Sequence, residues 1–248
     1  MKTPIAHALL LLALFAGGAI AAPVASPIDK AVADPARPKT DTATDVSRDP
    51  RDTLAFAGVK PGMTVAELFP GGGYYTRMIS DIVGPNGAVI GIENAGWKGA
   101  VEADRKTLAA LDRPNLQLDV EPFGQMKLPR KVDLFWITQN YHDLKIAQFG
   151  AVDMAAFNRQ VFDALKPGGI YFILDHQANP GTTREQIAKL HRVEKAEVIR
   201  EVTAAGFKLV AEGKFLNRPG DDHTRSIFDP QIQGRTDQYA LKFVKPAG

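Results

Sequence analysis

Seven consecutive residues, Val132-Asp-Leu-Phe-Trp-Ile-Thr138, are apolar at nearly every position. A strand with one wet face alternates apolar and polar residues. A strand without that alternation is covered on both faces, as in parallel sheets flanked by helices. The segments around it agree. Short apolar strands are predicted at 64–69, 88–92, 116–120 and 170–174, and helical patterns at 74–83, 98–111, 154–165 and 185–205. Asp49-Pro50 opens a further helix to about residue 58, with Asp as N-cap and Pro in the first turn. Two last strands, 207–215 and 238–244, have no helix between them, so they are predicted to pair antiparallel across a long loop, 216–237. This order predicts an α/β, doubly wound, Rossmann-like sheet, mostly parallel with a C-terminal antiparallel strand.

Ligands of such sheets sit at the carboxyl ends of the strands. The first strand runs into Glu67-Leu-Phe-Pro-Gly-Gly-Gly-Tyr-Tyr-Thr76. Glycine lets the backbone approach a ligand that a Cβ would push away. The helix that follows offers unpaired N–H groups and a positive dipole end. Three consecutive glycines, Gly71, Gly72 and Gly73, exceed what a tight turn needs. Glu67, Glu93, Asp119 or Glu121, Gln139 to Asp143, and Asp175-His176 all fall at predicted carboxyl ends and are expected to line one crevice.

The rest of the chain bounds the function classes. Residues 8–22 are apolar and close on Ala19-Ile-Ala21, so 1–21 are predicted to be a signal peptide, with a periplasmic or secreted location and no membrane attachment after cleavage. An uncleaved anchor is the alternative. Residues 22–46 are rich in Ala, Pro, Asp and Thr without a period, and are predicted to be a flexible linker. Residues 47–248 suffice for one domain. No cysteine is present, which removes disulfides and thiolate chemistry. The formal net charge is +2 with both signs interspersed, so a nucleic-acid footprint is absent and a small-molecule substrate is expected.

With these elements in order, the chain resembles the class I S-adenosylmethionine-dependent methyltransferases, and more narrowly their predicted secreted bacterial group. The resemblance covers residues 49–246. Glu67 matches the family's acidic position, and Gly71 and Gly73 match the second and third glycines of its turn. Glu93 matches the carboxylate that holds the ribose hydroxyls. Leu165-Lys-Pro-Gly-Gly169 and the closing antiparallel strand are further family markers. Asn140-Tyr-His-Asp143, Leu174-Asp-His176, Leu190-His-Arg192 and Asp221-Asp-His223 look like signatures of the narrower group. Phe69, followed by Pro70, stands where the family turn has its first glycine. A dinucleotide fingerprint would need glycines at 71, 73 and 76, and position 76 is Thr.

The resemblance implies S-adenosylmethionine as cofactor, held by Glu67, Gly71, Gly72, Gly73, Tyr75, Glu93, Glu121 and Gln139, with Phe123 near the adenine. His142 and Asp143 follow the fourth strand, where this fold presents groups to the substrate. A histidine there can take a proton from an oxygen or nitrogen nucleophile, oriented by Asp143 or Asp175. His191 and Arg192 fall on a predicted helix, as a solvated face. Two alternatives to methyl transfer stay open. One is an exported binding protein that keeps the fold. The other is a metal-dependent periplasmic enzyme, in which two or three of His142, His176, His191 and His223 converge with Asp143, Asp175 or Asp222, although their spacing carries no local ligand signature.

Overall fold

The computed structural model describes residues 25–247, apart from Gly124 and Ala151. The predicted signal peptide lies outside the described residues. Seven strands form one sheet in the order β3-β2-β1-β4-β5-β7-β6. Their ranges are β1 Thr64–Leu68, β2 Ala88–Asn94, β3 Leu116–Glu121, β4 Val132–Thr138, β5 Leu165–His176, β6 Lys208–Gly213 and β7 Gln238–Val244. The first five run parallel; β7 is antiparallel to both β5 and β6. The expected doubly wound sheet and closing antiparallel pair are therefore both present.

The two faces of the sheet segregate by the period of two. Ala66, Ile90, Phe135, Ile137, Tyr171 and Ile173 enter one core. Val65, Val89, Leu134, Trp136, Phe172 and Leu174 enter the other. The apolar run of β4 supplies both, which is why it carries no polar alternation. Helices α5 (Tyr74–Val83), α6 (Lys98–Leu111) and α7 (Met154–Ala164) lie where the sequence pattern put them. So does α4 (Pro50–Ala57), with Asp49 as its N-cap, its side chain accepting from Asp52 N.

Two expectations are corrected. The segment predicted as a linker carries three short helices, α1 (Pro27–Val32), α2 (Lys39–Thr42) and α3 (Asp45–Arg48). Ser26 and Asp29 close a capping box on α1. Buried Arg37 bridges Asp45 (2.6 Å), Arg77 bridges Asp41 (2.8 Å), and Tyr74 donates its hydroxyl to Asp45 (2.6 Å). The composition is that of a linker, but Ile28, Ala31 and Val32 pack into a core, and the Asp41–Arg77 pair and the Tyr74–Asp45 hydrogen bond tie the segment to α5.

The second correction concerns 185–205. The helix breaks into α8 (Arg184–Leu190) and α9 (Lys195–Ala204). His191 turns left-handed at φ 55° and Val193 bridges to Gln177. Arg192 is fully buried rather than solvated. Its guanidinium pairs with Asp221 (2.9 Å) and donates to the carbonyls of Gln177 and Arg225. That pair draws the long 214–237 connection onto the sheet's carboxyl edge and seats Ile227 and Phe228 beside the crevice. Among the described residues, no helix is long and apolar enough to cross a membrane.

Candidate functional site

A cavity of about 510 Å³ opens at the carboxyl ends of β1, β2, β4 and β5. At its β1–β2 end stands the glycine turn. Phe69 is left-handed at φ 53°, a conformation that favours glycine, so this is a strained position for a bulky residue. Its ring is held in place by stacking on Trp97 (4.8 Å, interplanar 4°) and by contact with Phe123 (5.4 Å). Pro70 rests on Gly91, where any Cβ would come within 2.6 Å of the proline ring. The backbone then opens: nothing lies within 4 Å of a Cβ built on Gly72, and only the Phe69 carbonyl (3.9 Å) near one on Gly71. This is a cradle of free backbone surface facing the cavity.

Three carboxyls surround the cradle, and among the described residues none of them forms an ion pair with a cation. Glu67 is 3% exposed and Glu93 2% exposed. Among the described residues, Oε2 of each lacks a hydrogen-bond partner, as does the Thr76 hydroxyl beside Glu67. Burial, opposed by the neighbouring Thr76 hydroxyl and reinforced by the Asp104 charge, pushes the Glu67 carboxyl up to about 8. Glu93 contacts Asp104, and burial together with that shared contact pushes it up to about 9. Asp104 is also raised by burial, although Glu93 and the Gly71 N–H (3.0 Å) counter the shift. Two acids in contact share a proton, which raises the pKa of one member of the pair. Near pH 7 Glu67 and Glu93 are thus protonated while their partners are missing, and a bound cation or hydroxyl donors would favour their charged forms.

The β4–β5 end is built from pairs. Nδ1 of His142 lies 2.7 Å from Asp175 Oδ1, and its Nε2 lies 3.2 Å from Asp143 Oδ1. Asp175 is fully buried and also accepts the backbone N–H groups of His142 (2.9 Å) and His176 (2.7 Å). Burial opposes a charge on His142, but Asp175 and Asp143 outweigh it and push the imidazole up to about 10. Burial likewise opposes the Asp143 charge, yet His142, His191 and Asn140 hold that carboxyl well below its ordinary value. His191 Nδ1 is 3.1 Å from Asp143 Oδ1, and Asn140 donates to Asp143 Oδ2 (2.9 Å). His176 is held neutral by burial and by the charges of His142 and Arg192, with Nδ1 2.8 Å from Thr236 Oγ1.

Of the residues expected from sequence, Glu67, Gly71, Gly72, Tyr75, Glu93, Gln139, His142 and Asp143 all line this cavity. Two do not. Gly73 lies behind the turn as the N-cap of α5 at φ 77°, where a Cβ would press on Arg77 (3.2 Å) and Thr107 (3.3 Å). Glu121 points away: its side chain accepts the Lys127 N–H (3.2 Å). Phe123 backs Phe69 from the core instead of facing the cavity. Tyr75 reaches the wall, but its hydroxyl donates to the Arg48 carbonyl (3.2 Å), which ties it to the N-terminal segment. Asp104, Arg48, Trp97, Phe149 and Phe228 line the cavity without having been expected there. Asp104 had a sequence signal: it falls three residues after Val101 and four before Leu108, on the apolar stripe of α6.

Known proteins share this architecture. Residues 51–124 match the family model of the protein-L-isoaspartate(D-aspartate) O-methyltransferases. No curated protein matches the chain in sequence. A SAM-dependent methyltransferase from Aquifex aeolicus superposes with a TM-score of 0.61 at 19% identity, over 83% of this chain and 95% of that one. The glycopeptide N-methyltransferase MtfA, in complex with sinefungin, gives 0.56 at 19% identity over 82% and 86%. The [4+2]-cyclase SpnF gives 0.58 at 15% identity over 84% and 81%. MtfA is also known bound to S-adenosylmethionine. The chain has the mostly parallel, Rossmann-like fold of the SAM-dependent methyltransferases.

Proposed function

We propose that the protein is an S-adenosylmethionine-dependent methyltransferase acting on an oxygen or nitrogen of a small molecule. One observation carries the reading: two buried carboxyls with orphaned oxygens, Glu67 and Glu93, flank a glycine turn with no side chain over it. Buried polar atoms are nearly always paired, so orphans aimed at a cavity mark where a ligand supplies the partner. The cofactor, when bound, supplies an electrophilic methyl group on a sulfonium centre. Its ammonium and ribose hydroxyls match the two carboxyls, and Gly71 and Gly72 leave its backbone-facing side free.

The acceptor would then lie toward the histidines. His142 has both ring nitrogens engaged by carboxylates, so it serves to position Asp143 rather than to take a proton. His176, at the cavity wall, is held neutral by the same burial and positive charges that oppose its taking a proton, so the acceptor's proton would pass to water. Alignment of the nucleophile does most of the remaining work. We further take residues 1–21 to be an export signal, so that the mature chain begins near Ala22.

The test is calorimetric titration of the purified protein with S-adenosylmethionine, beside Glu67→Ala. A hydrogen-bonded charge of this kind is worth about 1.5–3 kcal/mol, so the variant should bind roughly 10- to 100-fold more weakly. Absence of binding at millimolar ligand would sink the reading.

A second reading keeps the fold without methyl transfer. The Phe69 ring, stacked on Trp97 and tilted against Phe123, places an aromatic side chain beside the turn and favours it. Formation of S-adenosylhomocysteine, with any acceptor in a nucleophile panel, excludes it.

A further inference from the structure

We propose that His142, Asp143 and His191 form a divalent transition-metal site at the β4–β5 end of the cavity. The proposal is independent of whether the glycine turn binds S-adenosylmethionine. Each residue offers one ligand atom, and the three atoms lie within 4.8 Å of one another. Asp143 Oδ1 is 3.2 Å from His142 Nε2 and 3.1 Å from His191 Nδ1. Metal–nitrogen and metal–oxygen bonds of about 2.0–2.2 Å place neighbouring ligands about 3.0 Å apart at right angles and about 3.4 Å apart in a tetrahedron. Both separations from Asp143 Oδ1 fall between those two edges, and the two imidazole nitrogens lie within 4.8 Å of each other. An ion bound to Asp143 Oδ1 would therefore be in reach of both rings, with at most a small movement of one ring.

The support behind the ligands is what a metal centre requires. A ligating histidine usually donates its other ring N–H to a carboxylate, which fixes its tautomer and raises its basicity. His142 meets that condition through Asp175, which is itself fully buried and anchored by two backbone N–H groups. Asn140 holds Asp143 Oδ2 and so aims Oδ1 at the histidines. His191 reaches the cluster only because the chain leaves the helix there in a left-handed turn, and the neighbouring Arg192–Asp221 pair holds that turn. Strained backbone of this kind gathers at functional sites. Phe149 (6.2 Å) and Phe228 (4.9 Å) flank the His191 ring and shield the position.

Two imidazoles and one carboxylate suit zinc or iron(II) better than magnesium or calcium, which take oxygen ligands. Three protein ligands leave coordination positions open, as in catalytic sites and unlike the closed four-ligand structural ones. All three residues line the cavity, so the open positions face it and would take water or an oxygen of the bound substrate. An ion there lowers the pKa of a coordinated hydroxyl, a role that His142 and His191 do not fill while both are engaged with carboxylates.

The untagged full chain, stripped with a chelator, should take up one equivalent of Co²⁺ with visible absorption bands of a nitrogen- and oxygen-ligated ion, and Zn²⁺ should displace it. His191→Ala and Asp143→Ala should each weaken binding by about 10-fold or more. His223→Ala, outside the cluster, should not change it. Circular dichroism of each variant separates lost binding from lost folding. Failure of the wild-type chain to bind Co²⁺, or equal binding by wild type and a folded His191→Ala, overturns the proposal.

Discussion

At the β1–β2 end of the cavity carboxyls face carboxyls; at the β4–β5 end they face histidines. Among the described residues Glu67, Glu93 and Asp104 pair with no cation, and burial raises the pKa of each. Asp143 and Asp175 sit against His142, and there pairing outweighs the same burial. Equal desolvation thus has opposite outcomes, decided by whether a partner was built in. The paired end meets its charges within the protein, which orders the groups proposed to hold an ion. The unpaired end keeps protonated carboxyls whose missing partners a ligand must bring.

Variants should separate the two ends by the size and pH dependence of their effects. The largest change is expected at the paired end. Asp175→Ala strands His142 beside a cavity and removes the acceptor of two backbone N–H groups. Breaking a buried pair of this type costs about 3–5 kcal/mol, and Tm should fall by on the order of 10 °C in a thermal melt. A fall below about 2 °C would mean that the pair is not what holds this end together.

A smaller effect, of opposite sign, is expected at the unpaired end. The folded pKa of Glu67, about 8, lies above its ordinary 4.5. Its contribution is therefore most favourable below pH 4.5 and is lost as pH rises through 8. Glu67→Gln removes that loss. The variant should melt about 4–8 °C above wild type at pH 9, on the order of 2 kcal/mol, and within about 2 °C of it at pH 4. His142 is raised too, so its pair with Asp175 also weakens as pH climbs through about 10. Asp143 is lowered, so its contribution fades only at the acid extreme. Of the two ends of the cavity, only the histidine end therefore contributes to the acid limb of the stability curve. An unchanged alkaline limb in Glu67→Gln would break the contrast.

The two ends were not equally legible in the sequence. Glu67, Glu93 and the glycines announce themselves because they follow strands whose apolar pattern is unambiguous, and the sheet brings strand ends together by rule. His142 and Asp175 were readable for the same reason. His191 was not, because residues 185–205 read as one uninterrupted helix, with neither glycine nor proline to stop it. The break depends on Arg192 finding Asp221 in a distant loop. The order of residues 27–48 was hidden likewise, since beyond the short apolar stripe Ile28, Ala31 and Val32 it rests on Arg37–Asp45 and Asp41–Arg77 pairs. Local pattern reveals elements; pairings between buried charges far apart in sequence leave no periodic trace. Gly73 and Glu121 mark the opposite limit. Each sits in the expected segment, and only the path of the backbone turns it from the cavity.

The central claim is that the carboxyls beside the glycine turn are neutral in the free protein and ionise against the cofactor. The most direct measurement is calorimetric titration with S-adenosylmethionine near pH 7 in buffers of different ionisation enthalpy. The account predicts release of about one proton or more per cofactor bound, diminished in Glu67→Gln. Binding with no proton exchange, or with proton uptake, would contradict it.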